Sequence, residues 1–90
     1  MKTITMPVIA TCHISKETDQ ILQDNGDRNP WTIAAPYDEG VFIYIQSEDM
    51  EGQPAELGDI FAWARRHGHE WVCIDAAGDV VDELPSYDWD

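Results

Sequence analysis

The chain has 90 residues, with 18 Asp and Glu against 5 Lys and Arg, for a formal charge of −13. That length fits one domain, and that charge disfavours direct binding to DNA, RNA or an anionic membrane face, because phosphate recognition needs cations that release counterions. A hydrophobic content of 43%, including four Trp, argues against disorder.

Residues 3–10 alternate Ile4, Met6 and Val8 with Thr3, Thr5 and Pro7, which predicts a strand. Pro7 lacks an N–H, so the strand is expected at a sheet edge or with a bulge. Ser15 has the chemistry of a helix N-cap, and Glu17 follows in the first turn. The helix is expected to reach about Gln23, to bury Thr18, Ile21 and Leu22, and to stop at Asp24-Asn25-Gly26-Asp27. Residues 31–35 and 41–46 read as two further strands. The turn-like link Pro36-Tyr37-Asp38-Glu39-Gly40 makes them a hairpin. Val41, Ile43 and Ile45 share one face of the second strand, and Phe42, Tyr44 and Gln46 the other. An acidic loop covers residues 47–53.

The second helix carries the clearest signals. Pro54 is placed for the first helical position, Glu56 and Asp59 sit near the positive end, Arg65 and Arg66 near the negative end, and Gly68 just beyond it. Leu57, Ile60, Phe61 and Ala64 recur with helical spacing and form the expected buried stripe. Residues 71–74 read as a strand, Ala76-Ala77-Gly78-Asp79 as a turn, and Val80 and Val81 as the start of a short last strand. The order β-α-β-β-α-β-β predicts an α+β domain over residues 1–90, with one mostly antiparallel sheet and two helices on one face.

Signals for chemistry are sparse. Cys12, His13, His67, His69 and Cys73 are zinc-ligand types, but none of the paired spacings of zinc sites occurs. Cys73 lies among Trp71, Val72 and Ile74 and reads as a core residue. A Cys-His nucleophile would need an electropositive setting, opposite to this chain. The six Gly are scattered at turns and form no phosphate loop. No cofactor, metal or catalytic residue is expected. The longest apolar run, residues 41–45, is far short of the ~20 residues of a membrane span, and the N-terminal segment has no signal-peptide pattern, so the cytoplasm is expected.

The distribution of acids carries more. Residues 37–60 and 70–90 hold fourteen of the eighteen acids and no Lys or Arg. Carboxylates on a rigid scaffold accept the Arg and Lys hydrogen bonds that nucleic-acid phosphates would accept, and a one-signed field speeds encounter with a positive cleft. The expected partner is therefore a basic surface on a nucleic-acid-handling protein. The candidate contacts are Asp38, Glu39, Glu48, Asp49, Glu51, Glu56, Asp59 and Trp63, the last an aromatic among acids on the second helix. A second reading is an antitoxin-like or assembly module that uses the sheet face and the tail aromatics Tyr87 and Trp89. A third is a small thiol or metal enzyme.

Three stretches resemble a family of small uncharacterised proteins from plasmids, phages and integrated elements. Thr11-Cys12-His13-Ile14-Ser15-Lys16-Glu17-Thr18 resembles its S-T-A-H-I-T-x-E-T opening, with Cys12 in place of Ala. Residues 40–45 resemble its G-W-F-I-Y-V strand, with Val41 in place of Trp, and Leu84-Pro85-Ser86-Tyr87-Asp88-Trp89 resembles its L-P-x-Y-x-W ending. The resemblance supplies no catalytic residue. It implies a mobile-element setting in a bacterial host, where small acidic proteins act as anti-CRISPR and anti-restriction inhibitors that mimic DNA. In that setting His13 is expected to hydrogen-bond the strand-to-helix junction.

Overall fold

The computed structural model describes residues 1–89. Four strands form one mixed sheet: β1 (Val8–Ala10), β2 (Ala34–Tyr37), β3 (Gly40–Tyr44) and β4 (Trp71–Asp75), in the order β1-β4-β3-β2. β2 and β3 form the expected antiparallel hairpin, β3 is antiparallel to β4, and β1 runs parallel to β4. Helix α1 (Lys16–Asn25) follows β1, and helix α2 (Ala55–Arg66) joins β3 to β4. The architecture is α+β, with a mixed sheet.

Register sorts the side chains by face. Val41 pairs with Ile74, Ile43 with Val72 and Ala34 with Ile43, and these residues are buried. They pack with Leu22 of α1 and with Leu57, Ile60, Phe61 and Ala64 of α2 in a single cluster. Both helices therefore lie on one face, and the α2 stripe is fully buried as its spacing predicts. On the opposite face Phe42 pairs with Cys73, and Tyr44 with Trp71.

The helix ends follow local chemistry. The Ser15 hydroxyl caps α1 by accepting the Thr18 N–H at 3.2 Å. Gly26, at φ +52°, ends α1 two residues beyond the expected Gln23. Pro54 is the N-cap of α2, one place before its expected position. At the other end the His69 N–H bonds to Ala64 O at 2.9 Å and the Gly68 N–H to Arg65 O at 3.1 Å, the bond pair of a Schellman motif.

Strand boundaries differ from expectation at several ends: β2 runs on to Tyr37, β3 covers Gly40–Tyr44 instead of 41–46, and β4 ends one residue later, at Asp75. Three departures have a clear physical reason. β1 begins at Val8 because Val8 already faces Cys73, so residues before Met6 run past the first residue of β4 and find no strand to pair with. The strand expected at residues 31–35 starts at Ala34 because buried Asn29 holds the preceding turn. Its Oδ1 accepts the N–H groups of Trp31 (2.9 Å) and Thr32 (3.1 Å), and its Nδ2 donates to Thr32 O at 2.9 Å. The last strand contracts to one parallel bridge, with the Ala10 N–H on Asp79 O at 2.9 Å, and Val80 turns outward.

Gly40 sets the spacing of the two central strands at the hairpin-turn end of the sheet, where it pairs with Asp75. A Cβ there would lie 1.9 Å from Ile74 O, so only glycine lets β3 approach β4 so closely. Among the described residues no helix is long and apolar enough to cross a membrane.

Candidate protein-binding surface

The expected contact residues divide by burial. Asp38, Glu39, Glu48, Asp49, Glu51 and Asp59 are exposed, whereas Glu56 and Trp63 are buried. Trp63 belongs to the core cluster, with its indole N–H directed at Glu83 Oε1 (3.4 Å) and its ring 5.4 Å from that of His67. Its place off the Leu57–Phe61 stripe does not expose it, because the segment carrying Glu83 and Leu84 returns over that side of α2. Neither Glu56 nor Trp63 presents its side chain to a partner, which removes both from the contact set.

The exposed acids enter from opposite ends of β3. Asp38 and Glu39 form the hairpin turn, and the Glu39 carbonyl accepts the Ala76 N–H at 2.9 Å, beside Asp75. Glu48, Asp49 and Glu51 lie in the loop to α2, where the Asp49 carboxylate approaches Gly58, the neighbour of Asp59. Among the described residues Glu83 is the only acid in an ion pair with a Lys or Arg, Arg66 at 3.1 Å, and His67 Nε2 lies 3.4 Å from its other oxygen. Burial works against its ionised form, but the bonds from Arg66, His67 and Trp63 hold its carboxyl below the usual carboxylate range. Arg65 is occupied by the Gln46 carbonyl at 2.6 Å. The remaining acids meet no cationic partner, so their field reaches solvent uncancelled. Asp90 lies outside the described residues.

Glu56 is turned inward for a structural purpose. Its Oε1 accepts the Ser15 hydroxyl at 2.7 Å, the Ser15 N–H at 3.2 Å and the Thr18 hydroxyl. In a capping box a carboxylate three residues into a helix bonds back to the N-cap N–H. Thr18 occupies that position in α1. Glu56, from the first turn of α2, supplies the missing carboxylate from another helix. Burial pushes its carboxyl up, but the Thr18 and Ser15 hydroxyls and the Ser15 N–H outweigh burial and hold it below the usual range.

The tail is equally committed. The His13 Nδ1 bonds Pro85 O at 2.8 Å, while its Nε2 lies 2.9 Å from the Val81 nitrogen. A backbone N–H only donates and a carbonyl only accepts, so the ring is neutral with its proton on Nδ1. The Tyr87 N–H bonds Cys12 O at 2.7 Å and the Trp89 indole N–H bonds Ile14 O at 2.9 Å. The stretch around His13 and the tail ending are thus two halves of one joint, with buried Leu84 between the His13 bonds. The tail folds back on the strand-to-helix junction, away from the open sheet face.

A polar group on that face escaped the sequence reading. The Tyr37 hydroxyl donates to Asp75 Oδ2 and lies 3.0 Å from Cys73 Sγ. Burial first, then the bonds to Asp75 and Cys73, push the Tyr37 phenol up, and the Tyr37 bond together with the Ala77 N–H pulls Asp75 down. The signal was the alternation of Phe42, Tyr44 and Gln46, which marked a face but not what crossed it from β4. Among the described residues no group of three or more His, Cys, Asp or Glu side chains is placed to hold a metal ion.

No curated protein and no solved structure matches the chain. A family does: residues 6–89 match the DUF5983 C-terminal domain, a family of unknown function. This domain, with its acid-rich surface and doubly anchored tail, belongs to that family.

Proposed function

We propose that the chain is a binding module that seats on a cationic surface of a nucleic-acid-handling protein and keeps nucleic acid from it, an inhibitor of the anti-CRISPR or anti-restriction kind. The observation that carries this reading is electrostatic. Among the described residues of a chain with formal charge −13, one acid alone is ion-paired. Carboxylates left without internal cations retain their capacity for charge-assisted bonds to Arg and Lys. The resemblance to proteins of plasmids, phages and integrated elements supports the same setting, the bacterial cytoplasm. Against the antitoxin-like alternative, the Trp89 indole N–H is already bonded to the Ile14 carbonyl, whereas Tyr87 is tied down through its backbone N–H alone.

The experiment is capture of partners from bacterial lysate at low and high salt, followed by titration with the purified partner. Affinity should fall steeply as salt rises. Replacing Glu48, Asp49 and Glu51 by Lys should weaken binding at least tenfold while leaving the circular dichroism unchanged. Salt-independent affinity, or a partner without a nucleic-acid-binding surface, refutes the reading.

A further inference from the structure

The uncovered face of the sheet bears four aromatic side chains and one oriented carboxylate. Tyr37, Phe42, Tyr44 and Trp71 are half-buried, and both helices pack on the other side. They form two pairs. Tyr37 and Phe42 lie 5.0 Å apart with their planes tilted by 32°, and Tyr44 meets Trp71 edge-on at 5.2 Å and 70°. Beside them Asp75 is fixed at both oxygens, by the Tyr37 hydroxyl on Oδ2 and by the Ala77 N–H at 2.7 Å on Oδ1. Fixed rings lose little entropy on contact, and a carboxylate already aimed needs no reorganisation.

Charge identifies the occupant. None of the five Lys and Arg side chains lies on a strand; one, Lys2, lines a hollow with Glu70 and Trp71 at one end of the face. Asp75 stands on the face itself, Asp38 and Glu39 at one end of β3, and Glu70 immediately before β4 at the other. Single-stranded nucleic acid would stack on such rings, but its phosphates would meet carboxylates. A second copy would bring its own charge of −13 against this one. A cationic partner meets neither obstacle. Between the two cations, only guanidinium has a plane that stacks on aromatic rings and a fork that matches a carboxylate.

We propose that this face is where the cationic partner seats, and that its aromatic pairs and Asp75 make it select arginine over lysine. The proposal rests on the docking reading above and adds where contact occurs and which side chain is recognised. Acids alone would attract both cations equally, so the preference separates the two ideas.

The test titrates the full isotope-labelled chain with end-blocked hexa-arginine and hexa-lysine at low salt, followed by nuclear magnetic resonance. Hexa-arginine should bind about tenfold more tightly. Its shifts should centre on the Trp71 indole and on the amides of β3 and β4. Tyr44→Thr with Trp71→Val should bring the arginine peptide down to the affinity of the lysine peptide. Should that variant fail to fold, the wild-type preference and its shift map decide alone. Equal affinity for both peptides, shifts confined to residues 48–51, or an unaltered preference in the folded variant overturns the inference and leaves the docking reading standing. So does self-association, or binding of a single-stranded oligonucleotide, through the same resonances. Binding of neither peptide overturns both.

Discussion

Replacing Glu56 tests the buried carboxylate that links the two helix starts. Its Oε1 accepts three donors, the Ser15 N–H, the Ser15 hydroxyl and the Thr18 hydroxyl. A hydrogen bond to a charged acceptor contributes about 1.5–3 kcal/mol and a neutral one about 0.5–1.5 kcal/mol. Part of that difference is offset because glutamine, unlike the carboxylate, carries no charge to desolvate. Glu56→Gln should therefore destabilise the domain by about 1–2 kcal/mol at pH 7. Glu56→Ala, which strands all three donors, should reach about 3–4 kcal/mol, or roughly 15–25 °C in Tm for a domain of this size. The pH dependence is the sharper test. The folded carboxyl titrates below its unfolded value of about 4.3, so its stabilisation is present in full above that pH. It is lost as pH falls through the folded value. Urea denaturation of wild type and Glu56→Gln from pH 7 to pH 3 should show a gap that narrows below about pH 4. Relief of repulsion among the other acids acts on both proteins and cancels in the difference. A gap that is constant with pH refutes the assignment.

Three further outcomes follow from the same geometry. Raising NaCl toward half molar should stabilise the domain by roughly 1 kcal/mol in a thermal melt, since screening relieves repulsion among acids that lack ion partners; a falling Tm contradicts this. Gly40→Ala would drive a Cβ to 1.9 Å from Ile74 O, and urea denaturation should register a loss of about 3 kcal/mol or more. His13→Ala and Leu84→Ala should each cost about 2–4 kcal/mol, and a double-mutant cycle should find them coupled by about 1 kcal/mol because both hold the tail on the same junction.

What could be read in the sequence depended on range. Ser15 as a cap, the α2 stripe and the existence of the β2–β3 hairpin are decided by residues within a few positions of each other; the cap and the stripe appear where their spacing places them, and the hairpin forms with its turn narrowed to Asp38 and Glu39. Glu56 defeated the reading because an acid in a first helical turn already has a local explanation in the helix dipole. Its actual partners lie 38 and 41 residues away. Trp63 looked free because a helical wheel knows only its own helix, and the segment that covers it arrives twenty residues later. The expected strand at residues 3–10 was overlong for a related reason. Alternation describes a side-chain pattern, whereas a strand also needs a neighbour, and β4 begins too late to provide one for residues 3–5.

The same distinction bears on where function resides. Residues 11–18 and 84–89 carry two of the three stretches of resemblance, and several of their side chains are spent on internal bonds. His13 bonds the backbone on both sides of Leu84, Ser15 and Thr18 bond Glu56, and Trp89 bonds the Ile14 carbonyl. Bonds of this kind hold the fold together, so these two stretches have a structural explanation. On the docking reading proposed above, recognition falls between them, on β2, β3, β4 and the acidic turn and loop at the ends of β3. Sequences that share the joint but differ in Phe42, Tyr44, Trp71 and the acids around them would share this fold while addressing different partners. Transplanting those positions between two such domains should move the binding preference without moving the melting temperature by more than a few degrees, because exposed and half-exposed substitutions away from the core perturb stability only slightly.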